Sequence, residues 1–303
     1  MTVRRIAILL FLSSFCFADL TTDVRTVLAQ GNFAAATTQL ENYRTAHGVD
    51  PDYLEALSWM ARGSLSAQQF DQAANYAKQV ETLAHEQLQH RALDAEPRLP
   101  LALGAAIEVQ AQVLTARGQQ TQAVALLRHN LALYGNTSLH ARLQKNLNLL
   151  GLAGQVAPPL RLGEYLGSSP KSPPQLKGSP VLLFFWAHWC IDCKHEGPVI
   201  TQLSSEFASR GLTVLAPTQL YGYAARGEDA KPKDELAYAE QVWKQFYPGL
   251  QAVPVPVSKA NFDRYGASTT PTLVLIDRKG HVALYHPGVM SYDDLRAAIE
   301  KAM

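Results

Sequence analysis

Val181-Leu182-Leu183-Phe184-Phe185-Trp186-Ala187-His188-Trp189-Cys190-Ile191-Asp192-Cys193-Lys194 says more about this chain than any other stretch. Its first six residues are apolar without interruption, the pattern of a short buried strand. Two cysteines follow at C-x-x-C spacing, where the strand hands over to a helix. Unpaired N–H groups and aligned peptide dipoles at a helix N-terminus favour negative charge, so a thiol there ionises below its free pKa of about 8.5. Cys190 is therefore the candidate nucleophile of a thiol–disulfide exchange. Cys193 lies about one turn further on, within reach of a mixed disulfide formed at the first sulfur, and is the candidate resolving thiol.

The third of the three cysteines, Cys16, falls in a different context. Arg4-Arg5 precede an apolar run from Ile6 to Phe17, and Ala18 stands before Asp19. That run is too short to span a bilayer and has the order of a cleavable signal peptide, so cleavage near Ala18 and a periplasmic or otherwise exported protein are expected. A lipidated Cys16 is the alternative, disfavoured by the bulky Phe15 before it. Removal of residues 1–18 leaves Cys190 and Cys193 as the only thiols, which makes the pair working chemistry and not one staple among several.

The 303 residues are 47% hydrophobic and 17% charged, an ordinary composition for a soluble protein of two domains. The net charge of +1 gives no support for binding nucleic acid or a general anionic membrane. No further stretch reads as long enough to cross a membrane. Residues 19–150 read as helical, rich in Ala, Leu, Gln and Glu, with breaks expected at Gly31-Asn32, Gly63-Ser64, Gly118-Gln119 and Gly135-Asn136. Helix starts are expected at Asp50-Pro51 and Ser138. The segments beginning Gly31-Asn32-Phe33, Gln68-Gln69-Phe70 and Gly118-Gln119-Gln120 each precede an amphipathic helix. They resemble the turns of tetratricopeptide-type repeats, although the irregular spacing also suits a plain helical bundle. Residues 151–180 are rich in Gly, Pro and Ser and read as a connector or an extended wrap, with the boundary near Gly151.

From there to the C-terminus the chain resembles exported thioredoxin-like proteins of the TlpA/ResA type. The resemblance rests on Trp186-Ala187-His188-Trp189-Cys190-Ile191-Asp192-Cys193, on Glu196 and Pro198 after the second cysteine, and on Tyr265-Gly266-Ala267-Ser268-Thr269-Thr270-Pro271-Thr272 before the strand Leu273–Ile276. The turn Asp277–Gly280, the strand His281–Tyr285 and a helix capped by Ser291 complete it. The resemblance implies an α/β thioredoxin fold over residues 181–303, preceded by an all-α domain. It also implies a cis Pro271 beside the cysteines, with the Thr270 backbone pairing with a substrate strand and Trp189 in support.

Thioredoxin itself carries a buried aspartate six residues before the first cysteine, and here Phe184 stands there. Glu196 is then the candidate carboxylate for moving the Cys193 proton, since a partly apolar site raises its pKa; an exposed glutamate without a role is the competing reading. Asp192 places negative charge beside the Cys190 thiolate and points to a reductant more than an oxidant. His188 and His195 would pull the other way if protonated near Cys190, but each is expected to be a solvent-facing bystander and not a proton carrier. Between Tyr221 and Ser258 the chain is longer than a minimal domain needs. Lys231–Glu235 reads as a solvated turn, and Leu236–Phe246 as a helix with Leu236, Val242, Trp243 and Phe246 inward.

Haem attachment is excluded because Lys194 occupies the place after Cys193 where a histidine is required, and a zinc site lacks ligands, so no cofactor or metal is expected. The expected partners are a disulfide-containing envelope protein as substrate, a membrane electron donor, and a protein bound through the helices. A protein-binding adaptor on a thioredoxin scaffold is the alternative function. A peroxiredoxin-like peroxidase is a minor one, since the threonine and proline usual before a peroxidatic cysteine are missing.

Overall fold

A computed structural model describes residues 19–170, 176 and 178–303. The expected export signal with Cys16 and its expected cleavage point, and Ser172-Pro173-Pro174 of the connector, lie outside the described residues. By compactness the described residues form two units, one within 19–92 and 96–106 and one within 93–95 and 107–303.

The first unit holds α1 (Leu20–Ala29), α2 (Phe33–His47), α3 (Pro51–Ser66), α4 (Phe70–Leu88) and the start of α5 (Arg98–Ala116). Asn32 caps α2 by accepting from the Ala35 N–H, and Asp50 caps α3 by accepting from the Tyr53 N–H, with Pro51 in the first turn. In α4 the buried residues Ala73, Ala77, Val80 and Ala84 recur at helical spacing and form one inward stripe. Gly63 does not end a helix, contrary to the sequence reading. It sits inside α3 with helical neighbours on both sides, where a Cβ would make ordinary contacts of 3.5 Å with Leu28 and Phe33. The chain turns instead at Ala67–Gln69, with Gln68 at φ +59°. α5, mean hydropathy 1.3, is long and apolar enough to cross a membrane by length and composition, which the sequence reading had not allowed for. More than half of it is buried inside the protein, as in the core helix of a soluble protein.

In the second unit α6 (Gln120–Tyr134) and α7 (His140–Gly151) precede a four-stranded sheet of β2 (Val181–Phe185), β3 (Thr213–Leu215), β5 (Thr272–Ile276) and β6 (Val282–Pro287), in the order β3-β2-β5-β6. β2 is parallel to β3 and antiparallel to β5, which is antiparallel to β6. A two-residue β1 (Tyr165–Leu166) pairs with β4 (Val255–Pro256). The connecting helices are α8 (Ile191–Phe207), α9 (Pro232–Phe246), α10 (Lys259–Tyr265) and α11 (Tyr292–Ala302). Ser291 caps α11 by accepting from the Asp294 N–H. This is the thioredoxin fold.

β2 is apolar throughout because both of its faces are covered. Leu182, Phe184 and Trp186 enter one core with α8, α9 and α11, whereas Val181, Leu183 and Phe185 enter a second with Phe262 and Tyr265. Alternation of side chains along a strand makes that division. Leu152, just past α7, packs in the second core, and Gly151 therefore lies within a compact unit, not between two. Gly266, at φ +59°, approaches α7 so closely that a Cβ would stand 2.2 Å from the Lys145 nitrogen. Asn148 of α7 donates to the Tyr265 carbonyl at 2.9 Å. The connector then runs along the domain: the Gly154 N–H donates to Val282 O, the Val282 N–H to Gln155 O, and the Tyr265 hydroxyl to Pro158 O.

Candidate active site

The site sits where β2 ends and α8 begins. The Trp186 N–H donates to Pro217 O and its indole N–H to Ala216 O at 3.0 Å, which fixes the strand end. The Cys190 N–H then donates to Ala187 O, and this turn places Cys190 as the N-cap of α8. Its sulfur accepts from the Cys193 N–H at 3.0 Å, taking up one of the donors that a helix start leaves free. Cys190 and Cys193 are joined as a disulfide with Cα atoms 5.3 Å apart. Cys190 retains 3% exposure and Cys193 none.

The Thr270–Pro271 peptide bond is cis, and the Thr270 carbonyl oxygen lies 3.3 Å from the Cys190 sulfur. β2 and β5 bring the two segments together, since Phe185 pairs with Thr272. Trp189 stands 47% exposed beside the disulfide and packs edge-on against Tyr221, their ring centroids 5.6 Å apart, so it does not shield the core. Trp186 fills that core position instead, against Trp243 and Tyr247.

Glu196 lies one turn beyond Cys193 on the same side of α8 and is only 3% exposed. Burial raises its pKa, and a weak hydrogen bond from the Met290 N–H, 3.3 Å away, opposes the rise. Asp192, Ile191 and His195 are exposed.

Three expectations about the surroundings are overturned. His188 is buried, at 1% exposure, and shares a 3.1 Å hydrogen bond with Glu235, which is equally buried. Burial pushes the His188 pKa down, and the bond to Glu235 opposes it. The rings of Tyr221, Tyr223 and Tyr238 surround the imidazole with centroids 5.4–5.6 Å away. Glu235 is thus no part of a solvated turn: from the first turn of α9 it accepts from the N–H groups of Tyr221 at 2.5 Å and Gly222 at 2.8 Å. Phe246 is exposed, with the Lys194 ammonium 4.3 Å over its ring, while Tyr247 next to it is buried. Sequence reasoning missed the His188–Glu235 pair. The one available signal was a polar residue three places after the apolar run of β2, at the same strand-end turn as the cysteines.

Residues 175–303 match the thioredoxin-like domain family. A thiol:disulfide interchange protein DsbE of Xylella fastidiosa is 34% identical over 116 residues, 38% of this chain and 51% of that protein. A thiol-disulfide oxidoreductase ResA of Bacillus thuringiensis is 30% identical over 128 residues, 42% of this chain and 65% of that protein. The crystal structure of a thiol:disulfide interchange protein of the thioredoxin family from Chlorobium tepidum aligns with 44% of this chain and 86% of its own, at 23% identity and a TM-score of 0.36. The chain spans about half the length of the DsbE proteins it matches. Its C-terminal region is a thioredoxin-like domain with thiol-disulfide oxidoreductase homologues, and it carries a C-x-x-C pair.

Proposed function

We propose that this protein is an exported thiol-disulfide oxidoreductase that reduces disulfides of envelope proteins through Cys190 and Cys193. The observation that carries the reading is the disulfide at the N-terminus of α8, with a cis proline segment against its outer sulfur. In the reduced protein the Cys190 thiolate attacks one sulfur of a substrate disulfide. That S–S bond breaks, a mixed disulfide forms, and the departing thiolate takes up a proton. Cys193 then loses its proton, its sulfur attacks Cys190, and the second substrate thiolate leaves. Two electrons pass to the substrate, its second thiolate is protonated from solvent, and the 190–193 disulfide remains; of the two protons gained, one balances that lost by Cys193 and the other that released to solvent when Cys190 ionised. A thiol-bearing membrane donor would restore the dithiol. Trp189 and the Thr270–Pro271 segment would receive the substrate, and Glu196 would accept the Cys193 proton, a role its burial supports. Export rests on the N-terminal sequence, Arg4-Arg5 followed by the apolar run Ile6–Phe17.

The test is the reduction potential of the pair in glutathione buffers. A value near or below about −270 mV supports a reductase, whereas one near about −120 mV makes the protein an oxidant and reverses the electron flow.

Glu196 gives a second measurable consequence. Its folded pKa lies above the ordinary 4.5, so the folded state holds a proton that the unfolded chain has already released. Its contribution to stability is fully present below pH 4.5 and is lost as pH rises through the raised folded value. Glu196→Gln is expected to remove this decline in urea titrations across that window and to slow release of the mixed disulfide near neutral pH. A variant with the wild-type pH profile in both measurements would take Glu196 out of the proton path.

A further inference from the structure

We infer that the helical segment before the thioredoxin fold forms part of the substrate site, and that its α6–α7 turn holds an extended segment of a protein substrate. This rests on the oxidoreductase reading above. A groove of about 680 Å³ is lined by Trp189 and Thr270, next to the disulfide, and also by Asn136, Ser138 and His140 of the α6–α7 turn. It lies wholly within the second compact unit.

The turn is preformed. Ser138 donates to Asp94 from its N–H at 3.1 Å and from its hydroxyl at 2.6 Å, and a ring nitrogen of His140 lies 2.7 Å from Gly135 O. Behind it, α7 is held to the domain by Asn148 and by the close approach of Gly266. Fixed walls spare a ligand the cost of ordering them.

The occupant follows from the chemistry of the lining. The Thr270 hydroxyl is buried without a hydrogen-bond partner, a deficit that an entering polar group removes. Gln219, Asn136 and Ser138 add amides and hydroxyls suited to peptide N–H and C=O groups, which an extended strand presents along both edges. The exposed Trp189 ring offers an apolar seat beside the disulfide. Charge then selects among peptidyl disulfides. Asp94 and Asp263 line the groove, and its one lysine, Lys259, is bound to Asp263 at 2.7 Å. This excess of carboxyl groups disfavours glutathione disulfide, a small anion, and favours a neutral or basic stretch of polypeptide. A small disulfide would also leave the α6–α7 end of the groove unfilled.

The test compares two probes, scrambled disulfide-bonded ribonuclease and glutathione disulfide, each mixed with the reduced full chain while tryptophan fluorescence follows oxidation of the pair. Asn136 is exposed on the turn, and Asn136→Trp is expected to fill the groove. The second-order rate constant with ribonuclease should fall by about tenfold, a barrier increase of about 1.4 kcal/mol, and the ratio of the ribonuclease to the glutathione constant should fall with it. Asn136→Arg, a less bulky change, should shift the ratio the same way, and Ala132→Trp on the exposed side of α6 should leave it unchanged. A ribonuclease constant unaffected by both Asn136 variants, or an equal loss with glutathione disulfide, overturns the inference while leaving the oxidoreductase reading intact. A wild-type dithiol that reacts with neither probe overturns both.

Discussion

Cys190→Ser is expected to lower the rate of disulfide reduction by more than about 10⁴-fold, to the background level, because the serine hydroxyl is not ionised near neutral pH and cannot replace the thiolate. Cys193→Ser should behave differently. It keeps the first attack and lacks the second, so a covalent one-to-one complex with a disulfide substrate should accumulate and be visible by non-reducing electrophoresis and intact mass. The geometry supports this order, since the Cys190 sulfur is the one beside Thr270, and of the two cysteines only Cys190 retains any exposure. Accumulation of the complex with Cys190→Ser instead would reverse the roles. A protein acting only as an adaptor would bind its partner equally well with either substitution, and the covalent complex would not form.

Glu235→Leu should destabilise the folded protein by about 3–5 kcal/mol, read from the midpoint of urea unfolding at constant slope. The side chain is almost fully buried and receives the N–H groups of Tyr221 and Gly222 as well as the bond to His188. Leucine fills similar space but leaves those groups without a partner, at about 1–3 kcal/mol each. Glu235→Gln retains one accepting oxygen and should lose about half as much. Since Tyr221 packs on Trp189, the leucine variant should also change tryptophan emission. The buried pair carries a pH dependence as well. Burial holds the His188 pKa below its ordinary 6.5, so its contribution to stability is fully present above 6.5 and is lost as pH falls through the lowered folded value. A loss below about 1 kcal/mol for Glu235→Leu would mean that the loop at 221–222 finds other acceptors, and the pair would not be what holds it against the active-site turn.

Features governed by neighbours in the chain were legible before any coordinates. The uninterrupted apolar run of β2 requires cover on both faces, and the cores on its two sides supply it. Asp50 before Pro51, and Ser291 three residues before Asp294, are caps whose partners lie within one turn. The helical moment of α9 was readable too, but its inner edge was not. One residue rotates a helix by about 100°, and Tyr247 took the buried place assigned to Phe246. Gly63 reads as a break because glycine is a poor helix former, yet α3 continues through it to Ser66, since packing along the rest of the helix outweighs one residue's propensity.

The sequence by itself determined the chemistry and the fold that bears it: a strand, a C-x-x-C pair, a helix start and a Thr-Pro segment are local patterns, set by steric and hydrogen-bonding preferences over a few residues. The tertiary structure alone decided what surrounds them. His188 and Glu235 are 47 residues apart in the chain, and a charged residue after Lys231-Pro232 looks solvated until a fold delivers two N–H groups and an imidazole to it. The membership of α7 in the compact unit of the sheet depends likewise on Gly266 meeting Lys145 and on Asn148 reaching Tyr265, contacts across more than 100 residues. Burial and pairing at such separations are properties of the packed chain, and no local pattern encodes them.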